Sequence, residues 1–354
     1  MRTVLSSNES VISYICDANS IVDDCWKSTH SIVNMTNFNR DEMWNELEER
    51  GYCVVPNVLS IEQCDQYITE LKDWAANQNG LDFTHKSSLM SLPRVGHLET
   101  IWKIRLQAKQ VFAALWGTDK LVSSVDKISM VPPPEEGTGD FDSGYIWLHV
   151  DRDGRRRGLH AVQSGIYLEE TSLTDQCLRV MEGSVKFTDE LFSTHPQACE
   201  KSKGKDHYRL SNSEIEWYKS KGCVIKKIPV PKGSMILWDS RIVHDNVKAT
   251  FGRPNSDRWR FVVFACMMPA QWLSEEDLQI KKYAYENMLL TYMPCLSAGI
   301  HKKDPSLPED LYAIEELPEI AKSKDARQLV GIEKYDFNDG KPNGPKELPK
   351  WIPE

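Results

Sequence analysis

Tyr145-Ile146-Trp147-Leu148-His149-Val150-Asp151 decides how this chain is read. Aromatic and branched apolar residues dominate it, which suits a pleated strand, and it closes on a histidine and a carboxylate at i and i+2. Side chains two apart on a strand share a face, so one imidazole and one carboxylate reach the same point without bending the backbone. Working outward, residues 128–131, 161–168, 177–180, 224–230, 234–238 and 260–267 are further strand candidates with turn residues between them. Upstream the period is helical. Asp41 to Arg50 predicts a short helix stopped by Gly51, followed by a strand over 52–55. Ser60 and Gln63 form a capping box for a second helix whose apolar stripe is Ile61, Cys64, Tyr67, Ile68 and Leu71. A third helix fits 98–115, a fourth runs from Ser274 to about Leu290, and a proline-rich tail from Asp339 is expected to wrap the surface. Helices ahead of a succession of strands predict an α+β fold built on an antiparallel sandwich or barrel flanked by helices.

The 354 residues are 40% hydrophobic and 27% charged, enough to bury a full core, and a net charge of −9 argues against general affinity for nucleic acid or anionic membranes. No apolar run is long enough to span a bilayer, the N-terminus does not read as a secretory signal, and the C-terminus is not a peroxisomal address. The nine cysteines include no C-x-x-C pair, so neither a zinc site nor a disulfide framework is indicated. These features predict a soluble intracellular protein, cytoplasmic or nuclear. Residues 1–38 read as an N-terminal extension, 39–290 as one domain, and 291–354 as a C-terminal extension.

His149 and Asp151 need a third ligand. His244 follows the strand 234–238 and stands at the rim of the same sheet, and the three together make a two-histidine, one-carboxylate face of the kind that binds non-haem Fe(II) with positions left open. The tripeptide H-x-D recurs by chance in a chain of this composition, so its place at a strand end carries the argument. His97-Leu98-Glu99 is the rival, but it leads into a helix, where side chains two apart diverge. His30, His85, His195, His207 and His301 lie in polar segments and read as surface histidines, and His160 reads as packed. Arg260 and Arg258 head the strand 260–267 on the face of Val262, Phe264 and Cys266, where a guanidinium offers a carboxylate a bidentate partner; Arg253 is a third candidate.

Several stretches resemble the phytanoyl-CoA dioxygenase family of Fe(II)- and 2-oxoglutarate-dependent oxygenases. Glu49-Arg50-Gly51-Tyr52-Cys53-Val54-Val55-Pro56-Asn57-Val58-Leu59-Ser60 resembles its helix, glycine, short strand and capped helix, and His149-Val150-Asp151 its metal motif. Gly165-Ile166-Tyr167-Leu168-Glu169-Glu170 is similar to the next strand and acidic turn. Cys177-Leu178-Arg179-Val180-Met181-Glu182-Gly183-Ser184 is similar to the segment the family ends in Gly-Ser-His, and Lys232-Gly233-Ser234-Met235-Ile236-Leu237-Trp238 to the strand before the distal histidine. The likeness spans residues 40–290. It departs at Val185, where the family often has histidine, and in a longer stretch between His244 and Arg260. The resemblance implies a double-stranded β-helix, a cupin-like jelly-roll barrel flanked by helices. It implies Fe(II) held by His149, Asp151 and His244, 2-oxoglutarate chelated to that iron with Arg260, or else Arg258, on its far carboxylate, and O2 as co-substrate. Hydroxylation with release of succinate and CO2 follows. The donor set alone accepts several divalent ions, and iron is what the resemblance adds.

Arg155, among Arg152, Arg156 and Arg157, follows the metal motif as a cationic loop, which predicts a small, anionic organic substrate. Tyr145 and Trp147 share the strand face of His149, and Gln163 and Tyr167 share a face of the next strand; these are the candidate pocket residues, with Gln163 offering a hydrogen bond to cosubstrate or substrate. Two alternatives stay open: an oxygenase acting on a protein or nucleic acid, the latter disfavoured by the charge, and a catalytically silent barrel serving as a binding module, against which the intact triad argues.

Overall fold

The computed structural model describes residues 38–78, 89–90, 92–137, 139–292, 299–303, 305, 307, 311–347 and 350–351. The Asn39 side chain accepts from the backbone N–H groups of Asp41 and Glu42 and starts helix α1 (Arg40–Glu49). Gly51, at φ +91°, turns the chain into β1 (Tyr52–Val55). The Ser60/Gln63 capping box then opens α2 (Ile61–Ala76), and α3 (Glu99–Trp116) ends on left-handed Gly117. There follow β2 (Leu121–Ser123), β3 (Ile128–Val131), β4 (His149–Val150), β5 (Arg156–Arg157), β6 (Val162–Tyr167) and β7 (Cys177–Glu182). Helices α4 (Thr188–Thr194) and α5 (Pro196–Ser202), β8 (Tyr208–Arg209), and α6 (Asn212–Ser220) precede β9 (Val224–Ile228), β10 (Met235–Asp239), β11 (Val243–Val247) and β12 (Arg260–Pro269). Then come α7 (Glu275–Glu286), α8 (Lys324–Leu329) and β13 (Lys350–Trp351), which pairs with β5.

Two antiparallel sheets carry the fold. One runs β1-β10-β6-β12-β2 with β3 also on β12, the other β8-β4-β11-β7-β9. The strand period of two sorts their side chains. Tyr52, Val54, Ile236, Trp238, Tyr167, Val262 and Phe264 of the first sheet form one buried cluster with Leu178, Val180 and Ile228 of the second, so the sheets meet face to face. The alternate residues Cys53, Val55, Met235, Leu237, Val162, Ile166, Val263 and Ala265 pack instead with Leu71, Trp102, Val111 and Phe112 of α2 and α3. Strands β6, β10 and β12 are therefore buried on both faces, whereas β9 alternates exposed and half-buried residues up to the buried Ile228. The outer face of the second sheet packs through Val150, Met181 and Val243 on Leu191, Phe192, Ile215 and Tyr218 of α4 and α6, helices the sequence reading does not find.

Two expectations change. The strand over 145–150 is reduced to His149–Val150. Ahead of it, side chains take the place of a ladder: Arg179 donates to the Tyr145 carbonyl, and the Trp147 N–H donates to Asp245 Oδ2 at 3.0 Å. The segment after residue 310 is not only a surface wrap. Ala313, Ala321, Ala326 and Leu329 join the core beneath α3, and Lys120 Nζ, side chain only 5% exposed, donates to Asp339 Oδ1 and to Asn343 Oδ1 at 2.7 Å. Cys53, Cys64, Cys177 and Cys223 are buried free thiols, and Cys266 is buried as well. Among the described residues no helix is long and apolar enough to cross a membrane. The reading of residues 1–38, and of His30 and His85, falls outside the described residues but for Phe38.

Candidate active site

Strand pairing builds the site. His244 in β11 lies directly opposite His149 in β4, and Asp151 follows β4 on the side of His149. One ligand atom from each of the three lies within 4.8 Å of the others. His149 Nε2 is 3.3 Å from Asp151 Oδ1, and His244 Nε2 is 3.5 Å from Asp151 Oδ2. His244 Nδ1 sits 3.0 Å from the Ile242 carbonyl, which holds the proton on that nitrogen and leaves Nε2 as a donor lone pair. Burial opposes the charge on Asp151, yet the charge on His244 and hydrogen bonds from both histidines hold its carboxyl well below the usual range. Burial also disfavours charge on His244, but Asp151 lifts it above an ordinary histidine; His149, lowered by burial and by His244, lies below. The pair of nitrogens and the ionised carboxylate fit a divalent metal, which would take the place of the proton on His244.

The immediate surroundings orient these groups. Gln163, opposite Trp238 and Cys266 in the sheet and 1% exposed, donates from Nε2 to Asp151 Oδ2 at 3.0 Å. Arg179 grips Asp245 through Nε and Nη2 at 2.8 and 2.6 Å, and Asp245 in turn holds the Trp147 backbone.

The structure separates the three arginines. Arg260, 5% exposed, lines the same cavity as the triad, donates to Ser129 Oγ, and stands 5.9 Å from the Tyr167 ring; no carboxylate among the described residues pairs with it. Arg258 is paired with Asp175 and Glu170, and Arg253 with Asp175 and Glu135. A buried guanidinium that faces a cavity without a carboxylate partner could receive an anion, whereas those of Arg258 and Arg253 are already taken by acids.

The cavity measures about 180 Å³. Of the pocket residues named from sequence, Trp147 and Tyr167 line it, and Tyr145 and Gln163 do not: the Tyr145 side chain is exposed and stacks with the Arg209 guanidinium, and Gln163 is bonded to Asp151. Arg152, Arg155, Arg156 and Arg157 also stay out of it. Arg155 forks onto Asp153, and Arg152 is fully buried against Asp189, so nearby carboxylates turn this loop into scaffold. The sequence reading misses Asp126, Asn246, Leu178 and Phe264, which line the cavity. It also places His301 at the surface, whereas His301 Nε2 lies 3.1 Å from Asp126 Oδ1, at a separation of 175 residues that no local pattern reveals. His97 is buried with Nε2 3.2 Å from the Leu289 carbonyl, away from the triad, and burial drives it down to about 3; His160 is buried too.

Two histidines and a carboxylate converging beside a face-to-face pair of sheets could hold a divalent metal, as the iron(II) site of a non-haem, 2-oxoglutarate-dependent oxygenase does. The chain belongs to the phytanoyl-CoA dioxygenase family, whose model matches residues 47–246. It is 27% identical over 271 residues to Ava biosynthesis cluster protein O of Aspergillus versicolor, an alignment spanning 71% of this chain and 85% of that one. The fold is shared with the crystal structure of GlcNAc Inducible Gene 2, GIG2 (DUF1479), from Candida albicans, at a TM-score of 0.60 and 14% identity over 85% of this chain and 78% of that one. EctD from S. alaskensis, solved with 2-oxoglutarate and 5-hydroxyectoine, superposes at a TM-score of 0.44 with 15% identity, covering 67% of this chain and 79% of that one.

Proposed function

We propose that this protein is an Fe(II)- and 2-oxoglutarate-dependent hydroxylase of a small organic molecule, with residues 39–290 as its oxygenase domain and the two sheets as a double-stranded β-helix. The observation that carries the reading is the convergence of His149, Asp151 and His244 on one wall of a cavity that Arg260 also lines. His149 Nε2, His244 Nε2 and a carboxylate oxygen of Asp151 would hold the metal. Bound there, iron would supply O2 activation coupled to oxidative decarboxylation of 2-oxoglutarate to succinate and CO2. The protein's own part is to orient and to exclude water. Arg260, with Ser129 and Tyr167 beside it, takes the distal carboxylate, and the apolar walls of Leu178 and Phe264 keep that pairing dry, which strengthens it. A small-molecule substrate is supported by the cavity's volume of about 180 Å³ and by the name of the A. versicolor relative, a biosynthesis cluster protein.

Anaerobic titration of the apoprotein with Fe(II) and then 2-oxoglutarate tests the reading. A visible charge-transfer band in the wild type, lost in His149→Ala and weakened in Arg260→Ala, supports it. No band in a folded, metal-loaded wild type sinks it in favour of a binding module.

A further inference from the structure

We infer that Trp147 is a positioning residue for His149, fixing the ligand's imidazole through ring stacking in place of a hydrogen bond. The inference rests on the reading of His149, Asp151 and His244 as an iron site.

The two histidines are held in different ways. His244 has a carbonyl on its remote nitrogen. The remote nitrogen of His149, Nδ1, is buried with no hydrogen-bond partner among the described residues. A metal-ligating histidine ordinarily has its other nitrogen bonded, because that contact sets the ring plane. At His149 the plane is set from its face. The Trp147 ring lies 4.4 Å from it at an interplanar angle of 12°, and His244 closes from another direction at 4.5 Å and 43°. Trp147 is itself anchored twice. Its Nε1–H donates to the Asn246 carbonyl at 3.0 Å, and its backbone N–H donates to Asp245, which Arg179 grips through two bonds. Asn246 lies two residues after His244 on β11, so the clamp ties the β4 ligand to the strand of the other histidine.

The stack does more than occupy space. The face of an indole carries negative charge density, and an imidazole gains positive character when it binds a divalent metal, so the attraction is stronger in the metal-loaded state. Phenylalanine keeps a weaker face in the same place, and leucine keeps bulk with no face at all. Metal affinity is therefore expected to fall in the order Trp, Phe, Leu at position 147, while the apoprotein's thermal midpoint moves little.

The test uses the full chain and Co(II), whose d–d spectrum reports binding without 2-oxoglutarate or turnover. Wild type, Trp147→Phe and Trp147→Leu are titrated, with apo melting curves recorded for each. The expected result is a dissociation constant raised about tenfold in Trp147→Leu and by an intermediate factor in Trp147→Phe. Wild-type affinity in Trp147→Leu overturns the inference, as does a Phe variant no better than Leu. Should the Leu variant fail to fold, Trp147→Phe is compared with wild-type protein carrying fluorinated tryptophan, whose ring face is electron-poor. Weaker Co(II) binding in both supports the inference, and unchanged binding in both overturns it. A wild type that binds no Co(II) at all defeats the iron-site reading itself and is told apart in this way.

Discussion

The Gln163 amide donates a 3.0 Å hydrogen bond to Oδ2 of Asp151, the oxygen that also faces His244, while its own Oε1 is buried without a partner among the described residues. The amide thus chooses which way the carboxylate faces. Gln163→Leu preserves the bulk and removes the donor. Its Fe(II) affinity is expected to fall about tenfold, with 2-oxoglutarate affinity unchanged at saturating iron. A rise in the 2-oxoglutarate KM at saturating iron would instead give the amide a role on the cosubstrate.

Arg260 and Arg258, two residues apart, should behave in opposite ways. Arg260→Ala removes the carboxylate's partner from a buried wall and is expected to weaken 2-oxoglutarate binding by about 100-fold, on the order of 3 kcal/mol. Arg258→Ala should leave that binding intact and lower the melting temperature, because Asp175 loses one of its two guanidinium partners. Isothermal titration of Fe(II)-loaded protein and thermal melts separate the two.

Gly51 sits at φ +91°, and a Cβ there would come within 2.7 Å of Ile242 Cδ1. The Ile242 carbonyl is the group that orients His244. Gly51→Ala therefore strains the backbone and pushes on the support of a ligand. It is expected to cost about 1–3 kcal/mol in stability. Chemical denaturation measures that loss, and Co(II) titration shows whether it reaches the metal site.

Burial opposes the charge on Asp153, but the hydrogen bonds from Arg155 and from the Gly204 backbone bring its carboxyl down to about 2. A folded value below the unfolded 3.8 means that the stabilisation is present above that pH and is lost as pH falls toward 2. Asp153→Asn should cost about 2 kcal/mol at neutral pH, and its deficit against wild type should shrink below about pH 4. Urea midpoints across that range decide it.

The chain's own pattern determined the elements whose cause is local. Ser60 and Gln63 close a capping box, Gly51 turns the chain because it lacks a Cβ, and the β-branched and aromatic runs of β6, β10 and β12 announce strands. The H-x-D spacing likewise put both ligands on one side of the chain, and the position of His244 after the strand 234–238 made it the third, a choice the family resemblance matched. Tertiary structure decided the rest. It left Arg260 facing the cavity and paired Arg258 and Arg253, because the acids that neutralise those two come from segments distant in sequence, Glu170 and Asp175 among them. It withdrew the Arg155 loop and Tyr145 from the cavity and brought in Asp126, which His301 contacts from behind the lining. Charge and exposure at a position depend on what the folded chain packs there, and such contacts between remote residues leave no periodic trace along the sequence.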